Sequence, residues 1–252
     1  MLKNKITSKL NILVFHRIVE NKTNEWADVE LELFVQLLEA AKRNKQKIVS
    51  ISHWTENNTG DLTLSFDDGH SSDFDIVLPL LQEYGAQGTF FVTPSYVGRK
   101  GYMSWEQIKA LSEAGMEIGS HSLGHPYMTT LPIGQLLIEL KDSKTQIEQH
   151  IGKEVVSFAY PFGDCSEKTH KVAKAVGYKN ICTSKPGLCK PKMSSLDRNS
   201  VHSNINSDQF NQLLNPSKVL IFKQQIGYSI RYGLKRALGV NNYIKLRDSI
   251  YS

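Results

Sequence analysis

Cysteine is scarce in this sequence. Cys165, Cys182 and Cys189 are the three among 252 residues, an odd number with no Cys-x-x-Cys pair, which argues against a disulfide framework and a cysteine-built zinc site. Long apolar runs are missing too. No stretch approaches the roughly 20 apolar residues of a membrane-spanning helix. The early run Leu10–Phe15 is shorter than the apolar core of a secretory signal, about 7–15 residues, and no clear small-residue cleavage site follows it. The sequence therefore predicts a soluble, cytoplasmic chain. Repeats and low-complexity segments are absent. Acidic residues are scarce in one place: residues 217–252 hold Lys218, Lys223, Arg231, Lys235, Arg236, Lys245 and Arg247 against Asp248 alone. The whole chain carries +5, so the remainder is close to neutral. A basic end of this kind suits an anionic membrane surface, nucleic acid or an acidic partner, or is the solvated face of a helix. It lacks the interleaved aromatics of a recognisable nucleic-acid module, and nucleic acid is not an expected partner.

What remains is ordinary globular material: 40% hydrophobic and 22% charged residues supply enough apolar mass for one sizeable core. Leu10–Phe15 and the alternating Asp61–Phe66 read as strands, as do Gln87–Val92, Met116–Gly119, Val155–Tyr160 and Tyr178–Thr183, and Lys47–Ile51 is a further candidate. Between them, helical spacing covers Leu31–Asn44, Asp73–Tyr84, Ser104–Ala114, Ile133–Ile151 and Glu167–Val176. Ser104 and Gln107 form a capping box, and Gly85, Gly115 and Gly177 act as stops. Strands alternating with helices at this spacing predict a parallel α/β arrangement. Residues 185–206 read as mostly irregular, and the tail from Ser217 as helices outside the main fold.

The polar residues that invite chemistry fall just after predicted strands, where parallel barrels place their active sites. Asp67 and Asp68 end one strand, followed by Gly69 and His70; taken alone, the pair reads as a turn with a helix N-cap. His121 and His125 are four apart, a spacing at which two histidines meet on one side of a helical turn and bind first-row metals. Two imidazoles plus a carboxylate leave coordination positions open, which marks a catalytic rather than a structural site.

The runs SFDDGH, HSLGH and FAYPFGD, in that order, resemble the first three motifs of the polysaccharide deacetylase family, carbohydrate esterase family 4. The opening Val14-Phe15-His16-Arg17 resembles that of exopolysaccharide-associated members. The similarity covers about residues 10–205. It implies a distorted (β/α) barrel as residues 1–216, with residues 217–252 as a basic helical extension. It also implies that Asp68, His121 and His125 hold a divalent metal, most often zinc, and that Asp67 is the general base. The chemistry agrees with this. A metal polarises the acetamide carbonyl and acidifies water, a carboxylate beside it takes a proton, and backbone N–H groups steady the oxyanion. Pro161 has no N–H, so Phe162 is the candidate donor. His202, in Ser-Val-His, resembles the family's last motif and is the candidate acid, although Ser stands where the family has Leu.

Two further departures stand out. Ala159 occupies the place of an Arg that orients the base in the family, and Arg198 is the candidate substitute. The fourth motif, an Asp with a Trp, is not recognisable. Tyr160 and Phe162 are candidates to stack on a sugar, with barrel core as the alternative. His16 reads as pocket floor or structural, His70 as a neighbour of the aspartates, and His53, His150 and His170 as surface residues. The resemblance implies removal of N-acetyl groups from sugars of a polysaccharide or glycolipid. An O-acetyl esterase and a silent carbohydrate-binding barrel are the alternatives. Peripheral contact with a membrane or a membrane enzyme is a further expectation for the tail.

Overall fold

The computed structural model describes residues 9–21, 23, 25–57, 60–203, 205, 207–240, 242–243 and 245–246. Residues 1–8 at the start, Asn206, and Arg247 and Asp248 of the basic tail lie outside the described residues. In chain order the elements are β1 (Asn11–Phe15), β2 (Arg17–Val19), β3 (Asp28–Glu30), α1 (Leu31–Arg43), α2 (Ile51–Asn57), β4 (Leu62–Asp68), α3 (Leu78–Glu83), β5 (Gly88–Val92), α4 (Trp105–Glu113), β6 (Glu117–Ser120), α5 (Ile133–Ile151), β7 (Ser157–Ala159), α6 (Glu167–Val176), β8 (Asn180–Cys182), β9 (Asn199–Ser200), α7 (Ser207–Leu214) and α8 (Lys218–Leu238).

Seven strands make one parallel sheet in the order β8-β7-β6-β5-β4-β1-β9, curled into a half-barrel with helices around it. Strand alternation explains how one sheet makes both a core and a site. On β4 and β5, Leu62, Leu64, Phe66, Phe90 and Val92 face the helices and join the larger apolar core. Phe34, Leu37, Leu38 and Ala41 of α1 complete that core, with Leu136, Leu140, Ile147 and Ile151 of α5. The intervening Thr63, Ser65, Asp67 and Thr89 point into the half-barrel and are buried. Their hydroxyls are bonded: Thr63 donates to the Val49 carbonyl at 2.8 Å, Ser65 to Leu13 at 3.1 Å and Thr89 to the Glu117 carboxylate at 2.9 Å. Buried polar groups placed this way cost little. A smaller apolar cluster, including Ile12, Trp54, Phe91, Ala159, Cys182 and Cys189, fills the interior.

Two readings from the sequence need correction. Lys47–Ile51 is not a strand: Ile48 makes a single bridge to Leu62, and the chain turns into α2, where the Ile51 N–H finds the Thr89 hydroxyl at 3.0 Å. The helix expected over Asp73–Tyr84 opens with a wide π-turn, Asp73–Val77, in which the Leu78 N–H reaches the Asp73 carbonyl five residues back. Pro79 explains this, because it cannot donate to Asp75 and its ring crowds that carbonyl. Among the described residues of 185–206 the chain is mostly irregular, as read, apart from β9, whose two residues pair with Leu13 and Val14 of β1.

The register between β5 and β6 sets Phe91 beside Gly119. A Cβ on Gly119 would fall 2.5 and 2.6 Å from two Phe91 ring atoms and 3.1 Å from the Ser157 carbonyl. The Arg198 guanidinium also lies on that ring, 5.3 Å from its centroid. The missing side chain at Gly119 thus gives Phe91 its room. Gly119→Ala is expected to lower stability by about 1–3 kcal/mol through overpacking, read by urea unfolding. A variant as stable as the parent would mean that the ring has slack.

Candidate active site

β4 ends in Asp67 and Asp68, and β6 is followed at once by His121. The 121–125 segment is not the helical turn that the spacing suggests. Ser122 and His125 both have left-handed backbone, φ 66° and 61°, and the Ser122 hydroxyl accepts the His125 N–H at 3.0 Å. Asp68 (φ 79°) and Phe162 (φ 56°) are left-handed too. Four non-glycine residues in this costly region, gathered at one end of the sheet, mark a place where geometry outranks local stability.

These turns bring Asp68, His121 and His125 together, with one ligand atom from each lying within 4.8 Å of the others. The His125 and His121 Nε2 atoms lie 3.2 and 3.6 Å from the same Asp68 Oδ1, which is buried and, these two rings apart, has no polar partner among the described residues. The His121 Nδ1–H donates to the Ala159 carbonyl at 2.9 Å, which turns the Nε2 lone pair inward. Burial lowers the His121 pKa to about 4, so the ring is neutral as a ligand must be. Burial by itself would raise the Asp68 carboxyl, but the His125, His121 and His16 rings beside it hold it well below the usual range. A carboxylate oxygen facing the Nε2 atoms of two imidazoles fits a divalent cation.

Asp67 lies beside this cluster, with Oδ2 3.8 Å from His121 Nε2. Arg198 grips it with both arms, Nη1 to Oδ1 at 2.7 Å and Nη2 to Oδ2 at 2.8 Å, while its Nε donates to the Thr183 carbonyl at 3.0 Å. Burial pushes the Asp67 carboxyl up, yet Arg198, His121 and His16 outweigh it and leave the pKa lowered. Arg198 is fully buried. It stands behind Asp67, in the position expected of a substitute for the family's base-orienting arginine, and away from any substrate face. Of the two readings of Tyr160, sugar contact and barrel core, the structure fits the second. Its ring is buried edge-on to Phe158 at 4.9 Å and does not reach a sugar. Phe162, at 52% exposure, stacks on Tyr127 at 4.2 Å and meets His125 at 4.6 Å.

His202 sits on the far side of His16. The pairing of Val14 with Ser200 puts His202 level with His16, one strand further from Asp67. His202 stacks on Trp26 at 5.5 Å, and His16 meets the same indole edge-on at 5.9 Å. Both histidines have a buried Nδ1 without a partner among the described residues, and burial lowers the pKa of His202. His70 lies 3.9 Å from Asp68 Oδ2 and stacks on Tyr102 at 4.7 Å. Of the three histidines read as surface, His53 and His150 are exposed, His150 lying flat on Trp105, but His170 is half-buried with Nε2 enclosed.

Sequence reasoning missed Trp26, Tyr96, Ser122 and Asp73. Tyr96 walls the site 5.8 Å from His125. Asp73 is completely buried with neither oxygen hydrogen-bonded among the described residues, and burial together with Asp68 and Asp67 raises its pKa well above the ordinary value. No periodicity announces these residues; the doublet of histidines flanking SLG and the DD pair were the visible part.

Residues 55–181 match the family model described as polysaccharide deacetylase. YxkH of Bacillus subtilis is 26% identical over 190 residues, which span 74% of this chain and 68% of that protein. The peptidoglycan-N-acetylglucosamine deacetylase of Bacillus cereus is 32% identical over 126 residues, 50% of this chain and 57% of that protein. Among solved structures, the Streptococcus pyogenes deacetylase PplD, in complex with acetate, superposes with a TM-score of 0.76 at 23% identity, covering 83% of this chain and all of that one; at this identity the likeness is one of fold. The family match covers half of the chain and includes Asp67 and the cluster of Asp68, His121 and His125, and the chain accordingly belongs to the polysaccharide deacetylase family of hydrolases.

Proposed function

We propose that this chain hydrolyses the N-acetyl group of an N-acetylated sugar in a polysaccharide or glycolipid, using a divalent metal, in the first instance zinc. The observation that carries the reading is the convergence of Asp68 Oδ1 and two inward-facing Nε2 atoms beside a second carboxylate that a buried arginine holds rigid. In this reading Asp68, His121 and His125 hold the cation, which when bound would polarise the acetyl carbonyl and make water more acidic. Asp67 takes the proton. Arg198 keeps both of its oxygens in place and keeps it ionised and ready to accept. The N–H of Phe162 steadies the oxyanion, and its exposed ring, with Tyr127, offers a face to the sugar. A cleft lined by Arg17, Glu25, Ala27, Asp28 and His70 adjoins Asp68 through His70 and is offered as further room for the glycan. Peripheral membrane contact through the tail belongs to the same reading.

An amide nitrogen leaves only once it is protonated. His202 is the proposed acid, on the strength of the Ser-Val-His match; burial lowers its pKa. His16 is a second reading, favoured by one observation: it lies near enough to lower the pKa of both Asp67 and Asp68. An O-acetyl ester is the alternative substrate, and side-by-side acetate release from chitin oligomers and acetylated xylan separates the two.

Asp67→Asn is expected to keep its metal and lose about 10²–10⁴-fold in kcat, because the amide is nearly isosteric but takes no proton. Acetate release near the parent rate from metal-loaded Asp67→Asn would remove Asp67 from the base role. His202→Ala is expected to slow amide substrates more than an activated aryl acetate, whose leaving group needs little help. If His16→Ala carries that signature and His202→Ala does not, the acid is His16.

A further inference from the structure

Helix α8 takes no part in the site chemistry, and it is docked the wrong way round for a globular surface helix. At about 100° per residue, Val219, Phe222, Ile226, Ile230 and Leu234 form one stripe with Leu238 at its edge, and each is 39–63% exposed. Leu220, near its start, packs against the main core; beyond it the helix is held by its opposite, more polar side. Gln225 donates to the Pro186 carbonyl at 2.9 Å, and Lys235 pairs with Asp164 and lies 4.7 Å over the Tyr127 ring. Tyr228 is half-buried on that same side. Tyr228 and Lys235 are therefore anchors. Surface helices ordinarily bury the apolar stripe and solvate the polar one; here the order is reversed, and a contiguous exposed apolar stripe of this length marks a contact surface.

Charge selects what covers it. Lys223 lies within the stripe, Lys218 and Arg236 along one edge and Arg231 along the other, and α8 contains no acidic residue. A second copy docking by the same face would bring these cations against their own like. An anionic bilayer accepts both features, apolar side chains at the acyl boundary and cations among the headgroups.

We propose that α8 docks this protein on an anionic phospholipid surface through the Val219–Leu238 stripe, and that its substrate is a glycan carried on that surface. The second half rests on the deacetylase reading; the first does not. The two are linked by contact. From Lys235 the path runs through Tyr127 to Phe162 at 4.2 Å and on to His125 at 4.6 Å. The rim of the site thus lies against α8 on the side away from the stripe, about one helix diameter, roughly 10 Å, from the headgroups.

The test uses the full chain and two vesicle types, phosphatidylcholine alone and phosphatidylcholine mixed equally with phosphatidylglycerol. Expected is co-sedimentation with the mixed vesicles, about tenfold or more weaker with the neutral ones. Ile226→Glu combined with Ile230→Glu is expected to cut binding to mixed vesicles by about tenfold or more, with acetate release from a water-soluble chitin oligomer unchanged. Release from a lipid-linked N-acetylglucosamine in the same vesicles should fall with binding. Lys218→Ala with Arg236→Ala, which leaves the stripe intact, should weaken binding to the mixed vesicles only. The proposal is overturned if the parent ignores the mixed vesicles, if the double glutamate variant binds them as the parent does, or if the stripe proves to be buried in a dimer. Normal vesicle behaviour with no acetate released from either substrate would sink the deacetylase reading and leave the docking surface standing.

Discussion

Moving a guanidinium and a carboxylate out of water costs several kcal/mol per ion, and the cost is met only where geometry is close to ideal. Arg198 and Asp67 meet that condition. Both are buried, the guanidinium makes two parallel bonds to the carboxylate, and its remaining contacts are the Thr183 carbonyl, the Ser65 hydroxyl at 3.4 Å and the face of Phe91. The half-barrel is built around this pair. Ser65 and Asp67 point inward because they alternate with Leu64 and Phe66 on β4, Phe91 is seated because Gly119 carries no side chain, and Arg198 arrives because β9 closes the sheet against β1. Removing either ion would leave the other buried and unpaired, so the pair fixes where Asp67 points whatever else binds.

The same economy of position explains the histidines. A neutral His121 is secured by burial and by the Ala159 carbonyl, at the place where the family resemblance expects an arginine side chain. The arginine function is supplied from a different strand end instead. His125 reaches Asp68 through a left-handed turn that Ser122 braces. Backbone strain of this kind lasts only where surrounding structure over-determines it, and here the strained residues follow strands that are buried on both faces.

Contiguous features were legible in the sequence. The strand–helix alternation, the capping box at Ser104, the inward aspartates and the histidine spacing each depend on neighbours in the chain, and α5 and α6 appear with the bounds read for them. Features that depend on register were not legible. β9 is two residues long, too short to show a period, yet it places Arg198 and His202. Tyr160 could be read as sugar platform or core because aromatic residues serve both, and its direction at the strand end sends it to the core between sheet and helices. Trp26 and Asp73 come to the site through loops and a π-turn, which leave no pattern. The tail was readable as an amphipathic basic helix, but which face it turns to the barrel was decided by single contacts, Gln225 with Pro186 and Lys235 with Asp164.

The central claim is that one carboxylate and two imidazoles form an open metal site that serves hydrolysis of a sugar acetamide. Metal analysis of the purified chain, paired with acetate release before and after the metal is stripped and restored, tests it most directly. The account predicts one divalent ion per chain, lost together with activity on stripping, regained together with it on zinc addition, and absent from His121→Ala and His125→Ala proteins that remain folded. Full acetate release from a metal-free chain, or a bound metal that survives replacement of both histidines, would contradict it.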